Sequence, residues 1–225
     1  MTGFPRPRSR EYFAALAAEL QHEPSRAHGV AARRDEFERL VDTACTFARG
    51  SQLLELACGI GFWTKLFAGV ATTVHATDLA PEAVEIASTR VAAPNVSFGV
   101  QDAMQLNLST TGYDKVFAGF LVSHVPRADL RPFFKRLNGS LQPGTPVMLV
   151  DNALADRTLR PIHSVDAEGN TYERRSLRSG GSEFCVLKNY YSHAEIVNAV
   201  AIGGADVSLE RSQHYWSLIY TCRGI

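Results

Sequence analysis

The run Leu53-Leu54-Glu55-Leu56 breaks into Ala57-Cys58-Gly59-Ile60-Gly61 and resumes as Phe62-Trp63-Thr64. A short apolar segment that ends in small residues and restarts with helical periodicity reads as a buried parallel strand carrying a turn to a ligand. Gly59 and Gly61 have no Cβ, so the backbone there can take left-handed dihedrals and lie flat against a nucleoside. The helix N-terminus that follows offers free N–H groups to an anionic end of that ligand.

The rest of the chain repeats the alternation. Strands are expected at Gln52–Leu56, Thr72–Thr77, Val96–Val100, Lys115–Phe120 and Pro146–Val150, and helices at Phe62–Ala68, Pro81–Thr89 and Ala128–Leu141. Such alternation predicts an α/β fold, a parallel sheet with helices on both faces. Two amphipathic helices precede it, Arg10–Leu20 and Asp35–Arg49, with a hinge at His22-Glu23-Pro24-Ser25. Residues 152–191 are polar, contain Gly and Arg, and show no clear period. Ser192-His193-Ala194-Glu195 is a capping box opening a helix over Ile196–Ala201. Two apolar strands, Asp206–Arg211 and Tyr215–Cys222, close the chain; with no helix between them they must pair as an antiparallel hairpin. The whole reads as one domain: a helical lid over 1–50, a ligand-binding half over 51–151, a cap over 152–191, and a final helix and hairpin over 192–225.

Charge narrows the partners. Lys and Arg total 23, as do Asp and Glu, and no basic run occurs, so the footprint of a nucleic-acid or membrane-surface protein is missing. The expected partner is a small molecule. The four cysteines are scattered without a CxxC pair, which predicts reduced thiols, a cytoplasmic protein and no metal site. Oligomeric state is not readable.

Acids after the turn discriminate among nucleosides. Asp78 stands where the second strand should end, placed to accept both ribose hydroxyls. Asp102, in Gln101-Asp102-Ala103, ends the third strand, where an acid can take an adenine amino group. A dinucleotide fingerprint wants a third glycine where Thr64 stands, and a phosphate-binding P-loop wants Gly-Lys-Ser/Thr, which is absent. One ribose, one adenine and no phosphate fit best.

On these residues the chain resembles the class I S-adenosylmethionine-dependent methyltransferases over nearly its whole length. The resemblance implies a Rossmann-like seven-stranded sheet of order 3-2-1-4-5-7-6, strand 7 antiparallel, with an N-terminal helical lid and a cap inserted after strand 5. It implies S-adenosyl-L-methionine as cofactor, held by Tyr12, Glu55, Ala57, Cys58, Gly59, Gly61, Trp63, Thr64, Asp78, Leu79, Gln101, Asp102, Ala103, Ala118, Gly119 and Phe120. Tyr113-Asp114-Lys115-Val116-Phe117 through His124-Val125-Pro126 matches the fourth-strand motif whose end faces the methyl donor. The chain departs from the family pattern at Ala57, which replaces the first glycine of the turn. More narrowly, Phe62-Trp63-Thr64, Ser123-His124-Val125-Pro126, Arg174-Arg175-Ser176-Leu177, Lys188 and Tyr220-Thr221-Cys222-Arg223 resemble small bacterial O-methyltransferases of natural-product pathways, phosphonate O-methyltransferases among them. Ala14 and Leu20 stand where that branch has an arginine and a second tyrosine in the lid helix.

The expected activity is in-line methyl transfer to a small acceptor, at the oxygen of an anionic phosphonate or carboxylate, or of a hydroxyl. N- or C-methylation is the alternative, and a non-catalytic cofactor-binding partner is the alternative outside enzymes. His124 is either a general base, since imidazole titrates near neutrality, or a pocket-lining residue bonded to backbone. An already ionised acceptor needs alignment more than a base. Arg174, Arg175, Arg178 and Lys188 fall in the irregular segment, where guanidinium recognition of an oxyanion is one role and solvation the other. Six acids and six bases between Asp151 and Lys188 leave that segment near neutral. The resemblance selects Arg174 and Lys188, with Tyr12, His124 and Tyr190, to bind the acceptor. Asp151 either caps a loop or faces the acceptor.

Overall fold

The computed structural model describes residues 9–22, 33–106, 112–153, 161–176 and 183–225. Glu23-Pro24-Ser25 of the expected hinge, and Arg178, lie outside them. Of the ten strands described, seven form one sheet of order β3-β2-β1-β4-β5-β10-β9. Five of them are parallel: β1 (Gln52–Leu56), β2 (Thr73–Asp78), β3 (Val96–Val100), β4 (Lys115–Gly119) and β5 (Pro146–Asn152). The C-terminal hairpin, β9 (Gly204–Arg211) and β10 (Tyr215–Cys222), adds β10 antiparallel to β5. This is the Rossmann-like arrangement expected.

Side-chain alternation explains why both faces must be covered. Leu54, Leu56, Val116, Ala118, Val147 and Leu149 share one face, packed under α5 (Leu130–Gly139) and α6 (His193–Val200) through Phe133, Phe134, Leu137 and Ile196. Leu53, Phe117, Met148 and Val150 point the other way, against Phe37, Leu40 and Ala44 of α2 (Arg34–Ala48) and Trp63 and Phe67 of α3 (Phe62–Phe67). Every residue of β1 after Gln52 is buried, as a central parallel strand requires. The lid helix α1 (Ser9–His22) rests on α4 (Pro81–Arg90) and on the cap. No helix among the described residues is long and apolar enough to cross a membrane.

Four departures from the expected boundaries have local causes. The helix expected from Ala128 begins at Leu130, after a 3-10 turn over Arg127–Asp129. The Pro132 ring clashes with the carbonyl four residues back, at Ala128, and so excludes that residue from the helix. The fourth strand stops at Gly119 because Phe120 turns to φ 60°. The second strand runs one residue further than expected and carries Asp78 at its end. Residues 152–191, expected to lack regular structure, contain a three-stranded antiparallel sheet instead: β6 (Ser164–Val165), β7 (Thr171–Ser176) and β8 (Glu183–Leu187). Its strands are too short to show a period above the surrounding loops: β6 has two residues, β7 is mostly polar, and β8 is a brief apolar run.

Candidate active site

Ala57 takes φ 55°, Gly59 φ 54° and Gly61 φ 84° in the turn between β1 and α3. Three successive hydrogen bonds tie it down: Cys58 N–H donates to the Thr77 carbonyl at 2.9 Å, Gly59 N–H to Asp78 Oδ2 at 2.8 Å, and Gly61 N–H to the Cys58 carbonyl at 3.0 Å. A Cβ on Gly61 would lie 3.1 Å from Val91 Cγ2, whereas one on Gly59 would meet nothing within 4 Å. The turn is thus packed on the α4 side and open at Gly59. Cys58 is buried, which pushes its thiol up.

Asp78 is the hub between the first two strands. Its Oδ1 accepts from Ala80 N–H at 3.0 Å while Oδ2 holds Gly59. Burial pushes its carboxyl up, and these N–H groups oppose the shift. Each oxygen keeps a second lone pair. Leu79 beside it is 38% exposed. At the end of β3, Gln101 N–H bonds the Asp78 carbonyl at 2.9 Å. Asp102 caps the following turn, accepting from Met104 N–H at 2.8 Å and from the Gln105 amide at 2.9 Å, and Ala103 is buried there.

Three buried polar groups near the turn fall short of full hydrogen bonding among the described residues. Glu55 is 1% exposed, and Thr64 faces its carboxylate with both hydroxyl and N–H, short of full hydrogen-bond geometry. Burial pushes it up to about 8, with Asp78 reinforcing the shift and Thr64 opposing it. The Thr64 hydroxyl is itself fully buried. Trp63 packs among Phe37, Phe62, Phe67, Phe117 and Phe120, yet its indole N–H finds no acceptor among the described residues. That N–H lies across from Gly119, where a Cβ would come within 2.4 Å of it. Ala118 is buried in the opposite core.

Beyond Phe120 the chain makes a 3-10 turn over Val122–His124, and lid, sheet and cap meet there. The His124 ring stands edge-on to Phe13 of the lid at 5.0 Å and bonds the Leu187 carbonyl of the cap through Nδ1 at 2.7 Å. A carbonyl only accepts, so Nδ1 carries the hydrogen and Nε2 keeps the lone pair. Burial, reinforced by the Lys188 charge, pushes His124 down to about 3. It is a neutral imidazole at physiological pH.

Asp151, fully buried at the end of β5, accepts from Ser123 N–H at 2.8 Å and pairs with Lys188 Nζ at 3.2 Å. Its loop-capping role is therefore real, and Lys188 is half of a buried ion pair beside the His124 turn. Lys188 also donates to Ser123 Oγ at 2.7 Å. Asn189 fixes this stretch of cap to the core: its N–H reaches the Ser123 carbonyl at 2.7 Å and its side chain bonds Val125, Asn170 and Thr171.

On β7 the two arginines face opposite ways. Arg174 points outward, its side chain 55% exposed and 3.6 Å from Glu183. Arg175 turns inward with Glu173; the pair closes at 2.6 Å, and the charge of Arg175 reaches His124. Tyr190 is buried and donates its hydroxyl to Glu173 at 2.6 Å. Tyr12, 3% exposed, packs on Val186 and Phe184 of the cap. Glu173 and Asn189 are not singled out from the sequence, and Arg175 is weighed there but not selected. Period-two reading of Thr171–Ser176 puts 173 and 175 on one face, once that segment is known to be a strand.

Residues 53–144 match the family described as a methyltransferase domain. No curated protein matches the chain. Among solved structures, a DhpI complex with SAH is similar over 96% of this chain and 95% of that one, at 26% identity and a TM-score of 0.70. A DhpI–SAM–HEP complex gives 24% identity, coverage of 96% and 99%, and a TM-score of 0.73. Magnesium protoporphyrin IX methyltransferase (ChlM) from Synechocystis PCC 6803, with bound SAH, shares the fold at 16% identity, coverage of 95% and 97%, and a TM-score of 0.65.

Proposed function

We propose that this chain, a class I S-adenosylmethionine-dependent methyltransferase by its domain and its sheet, methylates an oxygen of a small anionic acceptor such as a carboxylate or phosphonate. The observation that carries the reading is the neutral His124 flanked by the donors of Arg175 and Lys188.

The residues present suit the cofactor. Asp78 keeps lone pairs for a ribose, and the exposed Leu79 and the Asp102 turn suit an adenine. The open Gly59, the orphaned Trp63 N–H and the incompletely bonded Glu55 carboxylate suit a ligand end that carries both charges. When bound, S-adenosylmethionine supplies a methyl group on a sulfonium, ready for in-line displacement.

The chain's own contribution is alignment. Arg175 and Lys188 orient an oxygen that is already ionised, and the Phe13–His124 contact shuts water out from the lid side. Burial lowers the proton affinity of His124, so the ring takes no proton from the acceptor, and base strength is not needed. Fold alone does not select the acceptor, so the support lies in these side chains. The test is incubation with S-adenosylmethionine and a panel of carboxylates, phosphonates, alcohols and amines, with products identified by mass spectrometry. Methyl esters are expected, with kcat/KM flat through the histidine titration range. N-methyl products alone, or a rate rising through that range, would overturn the reading.

A further inference from the structure

Charged side chains reach the His124 turn from the sheet and from the cap, and their charges cancel. Asp151 of β5 is paired with Lys188, and Glu173 of β7 is paired with Arg175. His124 is neutral, and the Tyr190 and Tyr12 phenols that complete the group are uncharged below their titration. Arg174 and Glu183, the next charges along the cap, form their own exposed pair.

Glu173 is the unusual member. It is 1% exposed and takes the Tyr190 hydroxyl on Oε1; its Oε2 lies 2.6 Å from Arg175 as an ion pair without hydrogen-bond geometry, and it sits deeper than the cation it neutralises. A site shaped for a doubly charged oxyanion leaves its cations unmatched. In this one each cation already faces a buried carboxylate. What remains open is hydrogen-bonding capacity: Arg175 Nε has no partner among the described residues, and Lys188 uses two of its three N–H bonds on Ser123 and Asp151.

We infer that the acceptor site takes an oxyanion bearing a single negative charge, and that Glu173 is the specificity-determining residue that turns dianions away. The inference rests on the oxyanion reading above. One negative charge on the acceptor meets one sulfonium across the reacting line. A second would face Glu173 and Asp151 in a poorly screened setting, where like charges disfavour one another strongly.

The probes are acetate and methylphosphonate, titrated into the full-length protein saturated with S-adenosylhomocysteine and followed by carbon and phosphorus line widths. The titrations are run below and above the second ionisation of methylphosphonate. In the wild type, methylphosphonate affinity should fall about tenfold or more as the probe becomes a dianion, while acetate, a monoanion throughout, is unchanged. Glu173→Gln keeps an acceptor for the Tyr190 hydroxyl and should abolish most of that fall. Which monoanion binds tighter separates a carboxylate acceptor from a phosphonate one, and either result upholds the inference. Dianion binding as tight as the monoanion overturns it and leaves the oxyanion reading standing. Binding of neither probe overturns both. Loss of acetate binding in Glu173→Gln overturns the role given to Glu173, and the wild-type titration decides the charge rule even if the variant does not fold.

Discussion

Ala57 shows what a single methyl group does to a turn. The sequence marks it as a departure from a glycine position, and the backbone angle of φ 55° shows that the cost is conformational. An L-residue in the left-handed region costs about 1–2 kcal/mol, part of which glycine returns through its looser unfolded chain. Ala57→Gly should therefore raise stability by up to about 1 kcal/mol, read as a higher urea midpoint at unchanged slope, with cofactor affinity retained. Asp78 is the opposite case, because its carboxylate holds both the glycine turn and Ala80. Asp78→Ala should weaken S-adenosylmethionine binding severely in calorimetry. Binding of NADH in its place would sink the cofactor assignment. Gly119 admits no side chain: a Cβ would lie 2.4 Å from the Trp63 indole nitrogen, so Gly119→Ala must displace Trp63 and its aromatic neighbours. Near-ultraviolet circular dichroism should report that shift.

At the scale of elements, polar contacts fasten the cap to the core beside its apolar packing on the lid helix. Asn189 bonds the core turn at Val125 and the cap strand at Thr171 in one side chain. Arg127 joins in by stacking over Tyr191, bonding the Gly169 carbonyl and pairing with Glu195, the residue that also completes the α6 capping box. Removing one buried amide from such a set leaves its partners unsatisfied, at about 1–3 kcal/mol each. Asn189→Leu should therefore speed amide hydrogen exchange in β7 and β8 well before that in β1 or β4. Equal protection in both sheets would show that the cap is held by something else. The capping box itself was visible in Ser192 and Glu195; the second duty of Glu195 toward Arg127 was not, because the two lie 68 residues apart.

For the whole molecule, two buried groups pull stability in opposite directions with pH. His124 is held near 3 against an ordinary 6.5, so between those values the unfolded chain binds the extra proton and stability rises with pH. Glu55 is raised from 4.5 to about 8, so across that interval the folded chain binds the extra proton and stability falls as pH rises. Without cofactor, the protein should be most stable where the intervals overlap, in mildly acidic solution. Glu55→Gln should flatten the alkaline fall in urea midpoint; an unchanged fall would remove Glu55 as its source.

The sequence by itself determined the sheet. Apolar runs, small-residue turns and punctuating glycines and prolines are local signals, and the central parallel strands, buried on both faces, display them at full strength. The same locality made the glycine turn, Asp78 and Asp102 legible, since each stands at the end of a recognisable strand. Only the tertiary structure decided the contacts around His124. Arg175 rather than Arg174 faces inward because β7 pairs with β8 in one register, and a shift of one residue exchanges the two faces. Asp151 meets Lys188, and Glu173 meets Tyr190, across separations of 37 and 17 residues that no periodicity spans. His124 reads in the sequence as either a general base or a pocket-lining ring bonded to backbone, and the fold shows the backbone bond to Leu187 and a lowered proton affinity, because burial is a property of everything packed around the ring.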